Sequence, residues 1–137
     1  MSIRKGRFPM HRFIVFISII LLLGGCAKTR PIYDVERAEI FTGSGKEPSQ
    51  TQVRKAIVQA VVSKTWRIKE IDSGHIEASL SKKSKVARIT IRYNTNYYSI
   101  IYKNSSQLLY NEGRIHRRYN SWIKGLQITI DGHLAQL

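Results

Sequence analysis

Residues 85–103 decide the fold: Lys85-Val86-Ala87-Arg88-Ile89-Thr90-Ile91-Arg92-Tyr93, then Asn94-Thr95-Asn96, then Tyr97-Tyr98-Ser99-Ile100-Ile101-Tyr102-Lys103. In the first run Ala87, Ile89, Ile91 and Tyr93 alternate with Arg88, Thr90 and Arg92. In the second, Tyr98, Ile100 and Tyr102 alternate with Tyr97, Ser99, Ile101 and Lys103. A period of two belongs to a strand, whose successive side chains point to opposite faces. The polar Asn94-Thr95-Asn96 reads as a turn. The two runs therefore form an antiparallel hairpin with one apolar face and one polar, largely basic face.

The same period extends towards the N-terminus. Trp66 and Ile68 alternate with Arg67 and Lys69, Asp72-Ser73-Gly74 is a turn signal, and Ile76, Ala78 and Leu80 alternate with Glu77 and Ser79. The polar link Ser81-Lys82-Lys83-Ser84-Lys85 joins this hairpin to the next, so four consecutive strands predict an antiparallel meander. A helical period flanks it on both sides. Val53, Ala56, Ile57, Ala60 and Val61 make one apolar stripe, opened by Pro48 and Ser49, and Tyr119, Trp122, Ile123, Leu126 and Ile130 make another. Gly125 inside the second stripe costs about 1 kcal/mol in helix propensity and predicts an end or bend there. Two amphipathic helices need the apolar sheet face to cover. The expected fold is α+β, a two-layer αββββα sandwich over residues 48–134 with both helices on one face of a four-stranded meander.

The N-terminus has a different character. Arg4, Lys5, Arg7 and Arg12 precede an uncharged run from Phe13 to Leu23, which ends in Leu23-Gly24-Gly25-Cys26. A basic start, a short apolar run and small residues are the layout of a secretory signal. The run is too short for a spanning helix, which needs roughly 20 apolar residues. Leu23-Gly24-Gly25-Cys26 resembles the lipobox of bacterial lipoproteins, which implies removal of residues 1–25 and acylation of Cys26, the single cysteine. Acylation would consume that thiol, leaving no disulfide and no cysteine metal site. By the same resemblance Ala27, standing where an aspartate favours inner-membrane retention, implies the periplasmic face of the outer membrane. Residues 26–47, with Pro31, Gly43-Ser44-Gly45 and no sustained apolar period, read as a tether with a reach of about 25 Å. Within it Ile40 and Phe41 are suited to docking as an edge strand.

Charge narrows the choice of partner. The chain has 23 Lys+Arg against 9 Asp+Glu, and four of the basic residues precede Cys26, so 19 against 9 remain in the mature part, a net charge of about +10. Such a domain is drawn to anionic surfaces. Behind a lipoprotein signal these are lipid headgroups, lipopolysaccharide phosphates, cell-wall polymers or an envelope protein, not nucleic acid. Alternation assigns Arg67, Lys69, Arg88, Arg92 and Lys103, with Tyr97, to the outer sheet face. That face is either an anion-binding surface or the solvated side that antiparallel sheets ordinarily carry.

Catalytic signals are sparse. His116, Tyr119 and Asn120 fall on neighbouring helical turns, and an imidazole beside a hydroxyl and an amide supports acid-base chemistry when a cleft holds them. This is the alternative reading, an envelope hydrolase. Its structural counterpart has His116 at a helix start and Tyr119 and Trp122 in the core. His75, His116 and His133 show no paired metal-ligand spacing, and there is no glycine-rich phosphate loop, Gly-x-Ser-x-Gly elbow or informative carboxylate pair. The sequence accordingly predicts no catalytic residue, metal or cofactor.

Tyr98-Ser99-Ile100-Ile101-Tyr102, Leu108-Leu109-Tyr110, Ile115-His116 and Tyr119-Asn120-Ser121-Trp122 resemble the C-terminal signature of a family of small, uncharacterised lipoproteins of Gram-negative bacteria. Trp66-Arg67-Ile68 followed by Gly74-His75-Ile76-Glu77-Ala78 is similar to its central part. The resemblance spans roughly residues 50–130. It implies an envelope lipoprotein and supplies no activity, ligand or catalytic residue.

Overall fold

The computed structural model describes residues 27–137. Cys26 and the signal segment lie outside the described residues. In chain order the elements are β1 (Thr29–Pro31), β2 (Val35–Glu39), α1 (Gln50–Ser63), β3 (Arg67–Asp72), β4 (His75–Lys82), β5 (Lys85–Tyr93), β6 (Tyr97–Ser106), β7 (Arg114–His116) and α2 (Arg117–Leu134). They form a five-stranded antiparallel sheet of order β2-β6-β5-β4-β3 and a two-stranded ribbon of β1 with β7.

The alternation in residues 85–103 sets the register. Ile91 faces Ile76 on one side and Ile100 on the other, and Ile89 faces Ala78 and Tyr102. These residues, with Leu80, Ala87, Tyr93 and Tyr98, line one sheet face. The stripes Val53, Ile57, Val61 and Tyr119, Ile123, Leu126, Ile130 cover that face in a single core cluster. Helix α1 starts at a capping box in which Ser49 and Gln52 bond each other's backbone N–H, an arrangement worth about 1 kcal/mol. The β3–β4 turn requires its glycine. Gly74 has φ of +73°, and a Cβ there would lie 3.0 Å from the Tyr93 carbonyl oxygen.

The structure corrects several expectations. The sheet is not a four-stranded meander led by a helix, because two strands precede α1 and one of them, β2, extends the meander beside β6. Much of the segment read as a coil tether is built into the domain. The Ile32 N–H donates to the Gly113 carbonyl (2.8 Å), the Tyr33 N–H to Asn120 Oδ1 (2.9 Å), and the Tyr102 N–H to Asp34 Oδ1 (3.0 Å). Periodicity missed β2 because a bulge between Val35 and Ala38, with Arg37 at φ of 49°, breaks the alternation. The edge strand is Val35–Glu39, and Phe41 is 71% exposed.

Helix α2 does not stop at Gly125. It continues to Leu134, since burying Leu126, Ile130 and Leu134 outweighs one glycine's cost of about 1 kcal/mol. Gly125 lies against the Lys64 side chain, with its Cβ position 3.7 Å from Lys64 Cε. Finally, Trp122 is only partly buried at the core's margin, whereas Trp66 is buried.

Candidate functional site

The outer sheet face is built by the residues that alternate with the core. Three cross-strand rows define it: Arg67–Ser79–Arg88–Asn104, Glu70–Glu77–Thr90–Ile101 and Asp72–His75–Arg92–Ser99. Lys103 is the extra residue of a bulge in β6, and its ammonium reaches both Glu77 carboxylate oxygens at 2.6 Å. Lys69 is the extra residue of a bulge in β3, so register does not assign it to this face. Tyr97 receives the Arg37 guanidinium 4.4 Å above its ring, and Ser99 Oγ accepts the Arg37 N–H at 2.9 Å. Arg37, Arg92, Tyr97 and Ser99 border an open hollow next to Gly74.

The face thus gathers most of the predicted anion-binding residues but gives them acidic neighbours. Glu77 lies between Lys103 and His75, whose Nε2 is 3.5 Å from its carboxylate. The Lys103 hydrogen bond, foremost, holds the Glu77 carboxyl below the usual carboxylate range. Arg88 donates to Asn104 Oδ1 at 2.9 Å. Glu70 and Asp72 complete a surface of mixed sign. The signal was present in the sequence, because Glu77 alternates with Ile76 and Ala78 just as Arg88 alternates with Ala87 and Ile89.

His116, Tyr119 and Asn120 do not converge. His116 is the N-cap of α2, its Nδ1 accepting the Arg118 N–H at 3.1 Å. Its pKa is pushed down by desolvation and then by Lys85, Arg118, Arg117 and Lys28. Asn120 clamps the N-terminal segment, accepting from the Tyr33 N–H and donating to the Pro31 carbonyl at 2.9 Å. The Tyr119 hydroxyl is buried without a partner, its ring edge-on to Tyr102 at 5.6 Å, and burial pushes its pKa up. Among the described residues no three His, Cys, Asp or Glu side chains are grouped to hold a metal ion, and no helix is long and apolar enough to cross a membrane.

A second basic region escaped the sequence reading. Pairing of β1 with β7 brings residues 28–30 beside residues 114–118, so Lys28, Arg30, Arg114, Arg117 and Arg118, all exposed, collect at one end of the molecule. The guanidinium groups of Arg30 and Arg114 donate to backbone carbonyls of Ala27 and Thr29. Both ion pairs among the described residues involve Glu77, so none of these five cations has a carboxylate within salt-bridge distance. The loop leading into β7 carries Leu109, 58% exposed, and Tyr110, 48% exposed and stacked on Tyr102 at 4.5 Å. Glu112 is the acid in that loop. No sequence window holds this cluster, because its two halves are more than 80 residues apart and only the ribbon joins them.

Compared with known proteins, the chain matches no family model, no curated protein and no solved structure.

Proposed function

We propose that this chain is an envelope lipoprotein, acylated at Cys26 and held at a membrane, whose basic α+β domain serves as a binding or structural module for an anionic envelope component. One observation carries the reading. The Arg117 N–H donates to the Lys28 carbonyl at 3.0 Å, so the folded domain begins two residues beyond the cysteine of Leu23-Gly24-Gly25-Cys26. A domain fused this closely to a lipidation site works at the bilayer surface. Its charge of about +10 suits the anionic groups found there. Ala27 points the proposal to the periplasmic face of the outer membrane. A hydrolase built on His116 has no comparable support, since His116 Nδ1 caps α2, Asn120 clamps the N-terminal backbone and the Tyr119 hydroxyl is buried in the core, so the three do not converge on one cleft.

Cys26→Ala is the direct test. Wild-type protein in cells fed labelled palmitate should carry the label and sediment with the outer membrane, and the variant should lose the label. Label retained by the variant, or wild-type protein in the soluble fraction, would sink the proposal. Acylated protein in the inner-membrane fraction would overturn the outer-membrane assignment alone.

A further inference from the structure

The way the N-terminal segment is built in fixes which surface meets the membrane. Only Ala27 stands between Cys26 and Lys28, so the two are about 7 Å apart even when fully extended. A free tether of some 20 residues would let the domain turn in any direction, but a leash this short presents the end formed by β1, β7 and the start of α2. That end has the composition of an interfacial surface. Lys28, Arg114, Arg117 and Arg118 are exposed there, and Leu109 and Tyr110 project from the loop whose Leu108 carbonyl accepts the His116 N–H. Basic side chains beside an exposed leucine and tyrosine are what an anionic headgroup layer and its acyl boundary accommodate together.

We propose that this end of the domain docks on an anionic lipid bilayer, with Lys28, Arg114, Arg117 and Arg118 on headgroup phosphates and Leu109 and Tyr110 inserted at the acyl boundary. The proposal rests on the acylation of Cys26. The field at this end is positive from several directions, since Lys85, Arg118, Arg117 and Lys28 all act on His116 and the positive end of the α2 dipole lies there too. The acids nearby are Glu112 in the loop and Asp34, whose carboxylate accepts the Tyr102 N–H. The far end of the molecule supplies a control. Helix α2 has 18 residues, about 27 Å of length, and exposed Phe41 sits beside Leu134 and Ala135 at its other end.

The test uses full-length protein, acylated in cells and reconstituted into vesicles of phosphatidylcholine with or without phosphatidylglycerol. A polarity-sensitive fluorophore is attached to Leu109→Cys or to Phe41→Cys, and a quencher is carried on the lipid acyl chains. Intact mass first reports acylation at Cys26, and an unacylated chain overturns both the lipoprotein reading and this inference. On acylated protein, the probe at 109 should be quenched in the phosphatidylglycerol vesicles while the probe at 41 stays in water. Arg117→Ser with Arg118→Ser should shift the docked-to-undocked ratio against docking by on the order of thirtyfold. Equal quenching at 109 and 41, or indifference of the 109 probe to phosphatidylglycerol and to the arginine pair, overturns the docking while leaving the acylation intact.

Discussion

The outer face of the sheet and the β1–β7 end are both rich in arginine and lysine, yet they differ in what stands beside each charge. On the sheet, Arg67, Arg88, Arg92 and Lys103 share one face with Glu70, Asp72 and Glu77, which stand on the same or nearby strands, and Lys103 is in direct contact with the Glu77 carboxylate. At the β1–β7 end, Lys28, Arg30, Arg114, Arg117 and Arg118 have no carboxylate within salt-bridge distance, and the positive end of α2 adds to them. Net charge alone therefore misidentifies the attractive surface. Opposite charges a few ångströms apart cancel within a Debye length of about 8 Å, whereas an unopposed cluster keeps its field. The two regions also differ in support, since the sheet has strand neighbours throughout its width and the ribbon depends on a few side chains.

The largest expected effect concerns that support. Ile115, at the centre of β7, is fully buried, so Ile115→Ala should cost about 2 to 5 kcal/mol in a urea melt. Thr90→Ala, on the outer face of the central strand, should stay within about 0.5 kcal/mol. Comparable losses from the two would mean that the ribbon end is not the more dependent on its core contacts. Asn120→Ala comes next. It removes the clamp on Tyr33 and Pro31 and leaves a partly buried N–H unpaired, at a cost of about 1 to 3 kcal/mol. Hydrogen exchange at residues 29–33 should accelerate ahead of the central sheet, and uniform acceleration across both would argue that the segment is not locally held.

The sheet and the ribbon also show where sequence reading reaches and where it stops. The meander was legible because Ile76, Ile89, Ile91 and Ile100 alternate with polar neighbours for physical reasons that need no knowledge of the rest of the chain. The stripe of α1 was legible on the same grounds. β1 and β2 were not, being three and five residues long and joined by an irregular link. They are held by Asp34, Tyr33 and Asn120, whose bonds to partners nearly 70 or more residues away follow no period. The sheet-face candidates and Glu77 were legible as positions on one face, but which cation meets which acid across the strands emerges only from register and its bulges. The basic cluster of the β1–β7 end depends on that ribbon and could not be read at all. Cys26 was legible as a motif and lies outside the described residues.

A smaller effect separates the two regions by pH. The His116 pKa is depressed by desolvation and surrounding cations, so the folded state disfavours its protonation. The sign follows from linkage. Between the depressed folded value and the unfolded value near 6.5 the unfolded chain binds more protons, and stability falls as pH drops through that window. His116→Asn keeps a good N-cap acceptor without titrating, and should flatten the stability slope below about pH 6.5. An unchanged slope would assign the acid sensitivity elsewhere. Glu77 on the sheet works in a lower range, because its depressed carboxyl pKa contributes stability above the ordinary carboxylate value that is lost as pH falls through the folded one.

The smallest effect tests the sheet face itself. If its acids are what keep it from attracting anions, removing one should do more than removing cations. Glu77→Gln frees the Lys103 ammonium and adds one unit of positive charge to the face, and should tighten binding of the Cys26→Ala protein to phosphatidylglycerol vesicles by up to about fivefold at physiological ionic strength. Arg88→Ser with Arg92→Ser in the same background should change that binding less than about twofold, since the face contributes little to begin with. Both arginines are exposed, so the fold should be undisturbed and thermal unfolding will verify it. A loss from the sheet pair as large as that from Arg117→Ser with Arg118→Ser would collapse the distinction between the two surfaces. The sheet would then bind lipid as an open basic plane, and Glu77 would be a structural partner of Lys103 rather than the group that neutralises the face.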